Sequence, residues 1–416
     1  MSICVLATGA ELLDGRVADT NTRHIASRLA EHGLTIRHAV SCGDAIEEIH
    51  ASLRFLLTRA SYIVMTGGLG PTTDDLSREA LAALLGEKLC LHEDVLATLH
   101  ELYRARRRTF DPSNTKQATF PESATVIPNP VGTAAGFRVL LGAVPVAVLP
   151  GVPHELRRLF EDSVLPDILA SHQGAAPLRQ RALRIFGLPE SVVGARVGGA
   201  VLPPGIEVGY RASFPEIQVT LKSRDPGADL DRALVTAREA IGPDCIYSED
   251  LTVPMEQTVL DLLVQQGWHL AVAESCTGGL IGSLLTRIPG SSRCFPGGVI
   301  TYANEAKTRE LGVSPDTLRT VGAVSREAAL AMAHGARTRW QTECALAVTG
   351  IAGPDGGTPE KPVGTFHVGL ATPAGTEAWP FFLSAGRDNV RSFAAMTALD
   401  ILRRHLLNLP IRGNVP

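Results

Sequence analysis

Long apolar runs, basic excess, paired cysteines and aromatic side chains are all scarce in this 416-residue chain. No apolar stretch approaches the length of a membrane span, so no bilayer-crossing protein and no membrane partner is expected. The N-terminus, MSICVLATGAELLDG, has no basic leader and reads as a first strand rather than a signal peptide. The formal net charge is −4, which argues against a protein built to grip a nucleic-acid backbone. Aromatic residues make up 5% of the chain, and no aromatic–basic stripe is present to stack bases. Seven cysteines, at positions 4, 42, 90, 245, 276, 294 and 344, are odd in number and form no C-x-x-C pair. That excludes a disulfide framework and a zinc ribbon, and it fits a reducing cytoplasm. What is there is ordinary globular composition, 45% hydrophobic and 20% charged, in a length that suits two or three domains.

Strand and helix patterns alternate over the first ~170 residues. Apolar runs at 3–8, 35–40, 62–65 and 145–149 read as strands. Helix faces appear at Ile25, Ala26 and Leu29, and at Ile46, Ile49, Leu53 and Leu56. Such alternation predicts a parallel sheet with helices on both faces. Residues 171–177 read as a linker. Residues 178–250 follow the order βαββαβ, a small split module with no cluster of catalytic residue types, read as a spacer or dimerisation element. From Pro254 the alternation returns and ends in a long helix. The expected architecture is therefore three-layer α/β at 1–172, small α+β at 178–250, and α/β at 255–412.

The stretch Ala271–Gly279, AVAESCTGG, carries the most chemistry. An apolar strand delivers Ser275, and Thr277, Gly278 and Gly279 open the next helix. A strand-to-helix turn is where open α/β sheets bind ligands, and free N–H groups at a helix start attract anions. Ser275 is a nucleophile or a helix cap. No G-x-S-x-G elbow is present, and none of His269, His334, His367 or His405 lies in a motif. A buried lysine with a lowered pKa can replace histidine as the base. Lys307 in TYANEAK fits, with Tyr302 as a hydrogen-bonding relay; its alternative is a solvated helix lysine. The glycine-rich TGIAGPDGG, with Thr349, Gly350 and Gly353, could form an oxyanion or phosphate nest. Arg387 and Arg391 bind a ligand or pair with Asp388 or Glu377.

In the first domain, ATGAELLDGRVADTN contains Glu11, Asp19 and Asn21, and TGGLGPTTDD contains Gly67, Gly68, Gly70, Asp74 and Asp75. Adjacent carboxylates beside a glycine-rich phosphate loop suit a divalent metal such as Mg²⁺. They also suit plain helix N-terminal charges. Asn114, Lys116 and Gln117 lie on a polar loop that could complete the pocket. Arg104 to Arg108 reads as a solvated helix end.

The segments AESCTGGLIGSLLT, TYANEAKTRELGV, AVTGIAGPDGG and SAGRDNVR resemble the C-terminal domain of the CinA family. The segments around 7–21 and 66–80, with NTKQA and LPGVPHEL, resemble its molybdopterin-binding-like N-terminal domain. The resemblance implies hydrolysis of nicotinamide mononucleotide to nicotinate mononucleotide and ammonia, in pyridine nucleotide recycling. It implies that Ser275, Tyr302 and Lys307 form the catalytic group, without a cofactor. Thr349 and Arg391 would then place the phosphate or ribose. For the first domain it implies hydrolysis of ADP-ribose to AMP and ribose 5-phosphate with Mg²⁺, Mn²⁺ or Co²⁺. It places a KH-like domain in the middle, although no GxxG loop is evident there. It also suggests a homodimer. A non-catalytic molybdopterin or nucleotide module, and a competence factor, are the alternatives.

Overall fold

The computed structural model describes residues 2–171 and 178–411. Apart from Ser171, the linker expected at 171–177 lies outside the described residues. The chain divides into two compact units, residues 1–179 and 180–416, both α/β. Among the described residues no helix is long and apolar enough to cross a membrane.

In the first unit a six-stranded sheet runs in the order β2-β1-β3-β8-β7-β6. Its strands are β1 (Ile3–Thr8), β2 (Ile36–Cys42), β3 (Tyr62–Thr66), β6 (Thr125–Ile127), β7 (Gly136–Leu141) and β8 (Val144–Leu149). A short pair, β4 (Leu89–Leu91) and β5 (Thr119–Pro121), stands apart. The first four strands of the sheet are parallel, as the sequence predicts. β7 and β6 are antiparallel, which the alternation did not reveal. The reason is local: only Gly142 and Ala143 separate β7 from β8, and a crossover to a parallel strand needs about a dozen residues.

Every residue of β1 and β3 is buried, so their apolar runs do not alternate in polarity. The pleat still sorts them. Cys4, Leu6, Ile63 and Met65 pack with Leu53 and Leu81 on one face. Ile3, Val5, Tyr62 and Val64 pack with Ile25, Leu29 and Phe160 on the other.

The second unit holds two sheets. A four-stranded one, β10-β11-β9-β12, comprises β9 (Arg179–Ile185), β10 (Glu207–Ser213), β11 (Glu216–Ser223) and β12 (Ile246–Ser248). A five-stranded one, β14-β13-β15-β16-β17, comprises β13 (Leu270–Glu274), β14 (Gly297–Ile300), β15 (Cys344–Gly350), β16 (Thr365–Thr372) and β17 (Gly375–Phe382). One face of the larger sheet presents Leu270, Val272, Leu346 and Val348 to the helices Met255–Gln266, Leu280–Thr286 and Arg387–Leu406. The other presents Ala271, Ala273, Ala345 and Ala347. These small side chains let the helices Asn304–Leu311 and Arg326–Trp340 lie close to the strands.

A buried ionic cluster ties the last helix to the smaller sheet. Arg403 and Arg404 are each 2% exposed, and Asp400 accepts from the Nε of both, at 2.8 and 2.7 Å. The same guanidinium groups also donate to the Asp244 carbonyl, at 2.7 and 2.9 Å.

Candidate functional site

Strand alternation decides which way the residues at the end of β13 point. Ser275 continues the Ala271–Ala273 face and meets the helix Asn304–Leu311. Glu274 continues the Leu270–Val272 face and meets the helix Leu280–Thr286.

On the first face, Ser275 is 7% and Lys307 1% exposed. Lys307 Nζ lies 3.0 Å from Ser275 Oγ. It also donates to the carbonyls of Thr301, at 2.8 Å, and Tyr302, at 3.2 Å. Burial pushes the Lys307 amine below the ordinary lysine value. A neutral amine keeps two N–H groups and one lone pair. In its neutral form, with both N–H groups on the two carbonyls, the amine would turn its lone pair to the serine hydroxyl. That is the geometry of a general base acting on a nucleophile. The neighbouring Cys276 thiol is pushed up to about 12 by burial, so it is protonated and inert beside the serine.

The lysine reaches the serine directly, so a relay through Tyr302 has no gap to fill. Tyr302 is 62% exposed, and its phenol accepts from Arg387 Nη2 at 3.1 Å. Arg387 Nη1 donates to the Gly353 carbonyl at 2.5 Å, and Arg391 Nη2 to the Thr277 carbonyl at 3.0 Å. The two arginines, Tyr302, Gly353 and Thr277 therefore stand together at the rim. The expected ion pair of Arg391 with Asp388 is also present, at 3.4 Å. Thr349 is tied elsewhere: its hydroxyl donates to the Ala323 carbonyl at 2.7 Å. The Ile351 N–H is spent on Thr365, at 2.8 Å, which removes it from an oxyanion nest. Gly350 is required by close approach, since a Cβ there would lie 2.5 Å from Phe366 Cβ.

On the second face is a residue that sequence reasoning missed. Glu274, 1% exposed, accepts from the N–H groups of Gly279 and Ile281, at 3.0 and 3.1 Å, through Oε2. Its Oε1 accepts from Gly282 at 2.9 Å. The helix start expected to hold a substrate anion at Gly278–Gly279 is thus capped by the protein's own carboxyl group. The signal was a lone acid in an apolar strand, which needs partners when buried. Thr277, fully buried, has a hydroxyl with no partner among the described residues.

In the first unit a cleft of about 440 Å³ is lined by Glu11, Asp44, Gly67, Gly68, Gly70, Asp74, Asp75, Gln117 and Glu155, among others. Gly68 has φ 65°, and a Cβ there would lie 2.2 Å from Ser77 Oγ. Asp44, also missed, accepts from the Ala10 N–H at 2.9 Å. Burial holds its carboxyl above the usual range, and Glu11, Asp74 and Asp75 add to the shift. Gln117 is 2% exposed, and its Oε1 has no partner among the described residues.

Other expected members have structural partners. Asp19 caps the helix Thr20–Glu31 through the Thr22 N–H, at 2.8 Å. Asn21 Nδ2 donates to the Gly151 carbonyl at 2.7 Å. Asn114 accepts from the Tyr103 hydroxyl at 2.8 Å. Lys116 bonds the carbonyls of Thr72 and Asp75, at 3.1 and 2.7 Å, and pins their loop. From beneath, the fully buried Arg78 holds the carbonyls of Leu69 and Gly70.

All-oxygen donors are the chemistry a hard divalent cation takes, and close carboxylates repel one another until a cation joins them. Asp75 is already bonded to the Thr72 backbone, at 2.9 Å, and hydroxyl. Among the described residues no group of three or more His, Cys, Asp or Glu side chains is spaced to hold a metal. Mg²⁺ commonly takes one or two carboxylates and completes its shell with phosphates and water.

Residues 252–406 match the family model described as CinA C-terminal domain, and residues 4–170 match the probable molybdopterin binding domain. The chain is 42% identical over 413 residues to a CinA-like protein of Geobacter sulfurreducens, covering 98% of this chain and 100% of that one. A CinA-like protein of Desulfosudis oleivorans is 42% identical over 416 residues, covering 97% and 99%. Among solved structures, the competence/damage inducible protein CihA from Agrobacterium tumefaciens is 43% identical, covering 37% of this chain and 93% of that one, with a TM-score of 0.35.

Proposed function

The chain belongs to the CinA family, and from that premise we propose that its second unit hydrolyses the carboxamide of nicotinamide mononucleotide, releasing ammonia and nicotinate mononucleotide. The observation that carries this reading is the 3.0 Å contact between Ser275 Oγ and a buried, desolvated Lys307. Ser275 attacks the carboxamide carbon while Lys307 takes its proton. The same ammonium then returns the proton to the departing nitrogen, ammonia leaves, and water frees the acid. Arg387 and Arg391 at the rim supply charge for the phosphate, which guanidinium groups bind in a bidentate fashion. Ser275→Ala is expected to lower ammonia release by about 1000-fold or more, measured with a coupled ammonia assay. Release within about tenfold of the wild type would reject the assigned nucleophile.

For the first unit the proposal is metal-dependent hydrolysis of ADP-ribose to AMP and ribose 5-phosphate in the acidic cleft. A bound divalent cation would neutralise the diphosphate and polarise its phosphoryl oxygens. Asp44 and Asp74 are the residues to hold it, with Gln117 Oε1 accepting from a ligand hydroxyl. Asp44→Asn with Asp74→Asn is expected to reduce AMP formation by about 100-fold, followed by chromatography with each of Mg²⁺, Mn²⁺ and Co²⁺. The engagement of Asp75 by Thr72 favours a second reading, a nucleotide- or pterin-binding module without turnover. Tight ADP-ribose binding with no AMP under any of the three metals would establish it. Dimerisation and a spacer role for 178–250 remain part of the proposal, and sedimentation of the full chain tests the first.

A further inference from the structure

Five of the twelve phenylalanines in the chain line one cavity of about 380 Å³ in the second unit. They are Phe186, Phe214, Phe381, Phe382 and Phe393, drawn from the β9 end, the β10–β11 turn, the β17 end and the last helix. Small-molecule sites commonly enclose about 300–1,000 Å³ and are lined by apolar and aromatic side chains. A hydrophobic core would bury its rings. Here Phe214 is 52% and Phe382 43% exposed.

The buried charged groups on the inner wall, Glu216, Asp400 and Arg404, already have partners. Glu216 accepts from Arg184 at 2.5 Å and from the Tyr247 hydroxyl. Asp400 is held by Arg403 and Arg404, as described above, and the Thr397 hydroxyl donates to the Phe393 carbonyl at 2.7 Å. Glu190 stands exposed on the lining and disfavours anions. What the cavity offers is ring faces and edges. Phe393 lies 5.6 Å from Phe186 and 6.3 Å from Phe214, centroid to centroid, in tilted arrangements that a flat guest can extend.

We propose that this cavity is a binding site for a neutral, planar aromatic molecule of one or two rings. It lies one ring away from the serine's surroundings. Phe366 touches both Phe381, at 5.3 Å, and Phe393, at 6.0 Å. Phe366 in turn packs on Gly350, where an added Cβ would also approach Cys276 Sγ to 3.0 Å. A guest that shifts Phe393 therefore shifts the packing beside Ser275. This coupling rests on the amide-hydrolysis reading; the binding site does not.

The test uses the full chain labelled with para-fluorophenylalanine and titrated with indole, followed by fluorine NMR. Saturable shifts are expected in the resonances of the cavity phenylalanines, assigned by single substitutions. Phe214→Ala, at an exposed turn, should weaken indole binding about tenfold or more while leaving the remaining resonances dispersed. The anion indoleacetate should bind about tenfold more weakly than indole. No saturable shift, or equal indole affinity in the wild type and Phe214→Ala, would overturn the proposal. So would sedimentation showing a dimer that Phe214→Ala dissociates, with indole excluded from the assembled form. Phe393→Leu is a second variant, and if it does not fold, Phe214→Ala decides alone. Neither outcome depends on whether ammonia is released.

Discussion

Replacing Lys307 with methionine is expected to lower ammonia release from nicotinamide mononucleotide by about 1000-fold, with KM nearly unchanged. Methionine keeps the length and apolar bulk of a side chain that is 1% exposed. It removes the lone pair facing Ser275. A circular dichroism spectrum like that of the wild type separates this loss from unfolding. The pH dependence follows from the same desolvation. Only the neutral amine accepts the serine proton, so kcat/KM rises about tenfold per pH unit on its acid limb. It levels off at the folded pKa, which burial holds below the ordinary lysine value. The sign for stability is equally definite. Between that lowered pKa and the unfolded value of about 10.4, the unfolded chain binds the extra proton. Stability from this group therefore increases as pH rises through that window, and the penalty is fully present below it. Lys307→Met should erase that dependence. Ammonia release by Lys307→Met within about tenfold of the wild type would show that another group takes the proton.

The largest effect on stability is expected at Glu274. Glu274→Ala strands the N–H groups of Gly279, Ile281 and Gly282 and opens a cavity beneath the helix Leu280–Thr286. A buried donor left without a partner costs about 1–3 kcal/mol, so a loss of about 3 kcal/mol or more is expected for the second unit. Urea unfolding followed by tryptophan fluorescence measures it, because Trp268, Trp340 and Trp379 all lie in that unit. Glu274→Gln retains acceptor capacity but turns an NH₂ toward donors, and should fall between the two. Activity should decline in the same order, since Ser275 sits on the turn that Glu274 holds. A change below about 1 kcal/mol in Glu274→Ala would mean that water replaces the carboxyl group.

Much of this was legible in the sequence, and the residues that escaped share one cause. The strand runs, the serine turn and the Lys307 helix are local patterns, so periodicity and glycine placement located them. The pairing of Ser275 with Lys307 was open to chemical reasoning, because an unassisted serine needs a base. Asp44 was hidden, because only the register of β1 against β2 brings it to Ala10. The antiparallel β6 and β7 were hidden for the converse reason: their short apolar runs look alike whichever way the strand points. Asp19, Asn114 and Thr349 are polar residues at loop and element ends, where capping and ligand binding want the same side chains. Glu274 announced itself as an acid in an apolar strand, but its partners were known only once the pleat had been assigned.

The buried arginines of the last helix bear on how the chain can be divided. Asp400 on their own helix pairs with both Arg403 and Arg404, and Asp244, in the turn just before β12, adds its carboxylate to Arg404 and its carbonyl to both. Removing one partner of a buried ion pair costs about 3–5 kcal/mol. A protease cut between Ser248 and Pro254, or a genetic event that exchanged one side of that border, would part the arginines from Asp244 once the pieces separate. It would leave two guanidinium groups facing a surface meant to be covered. A new partner for the serine-bearing sheet at that border must therefore bring its own carbonyl and carboxylate for those arginines.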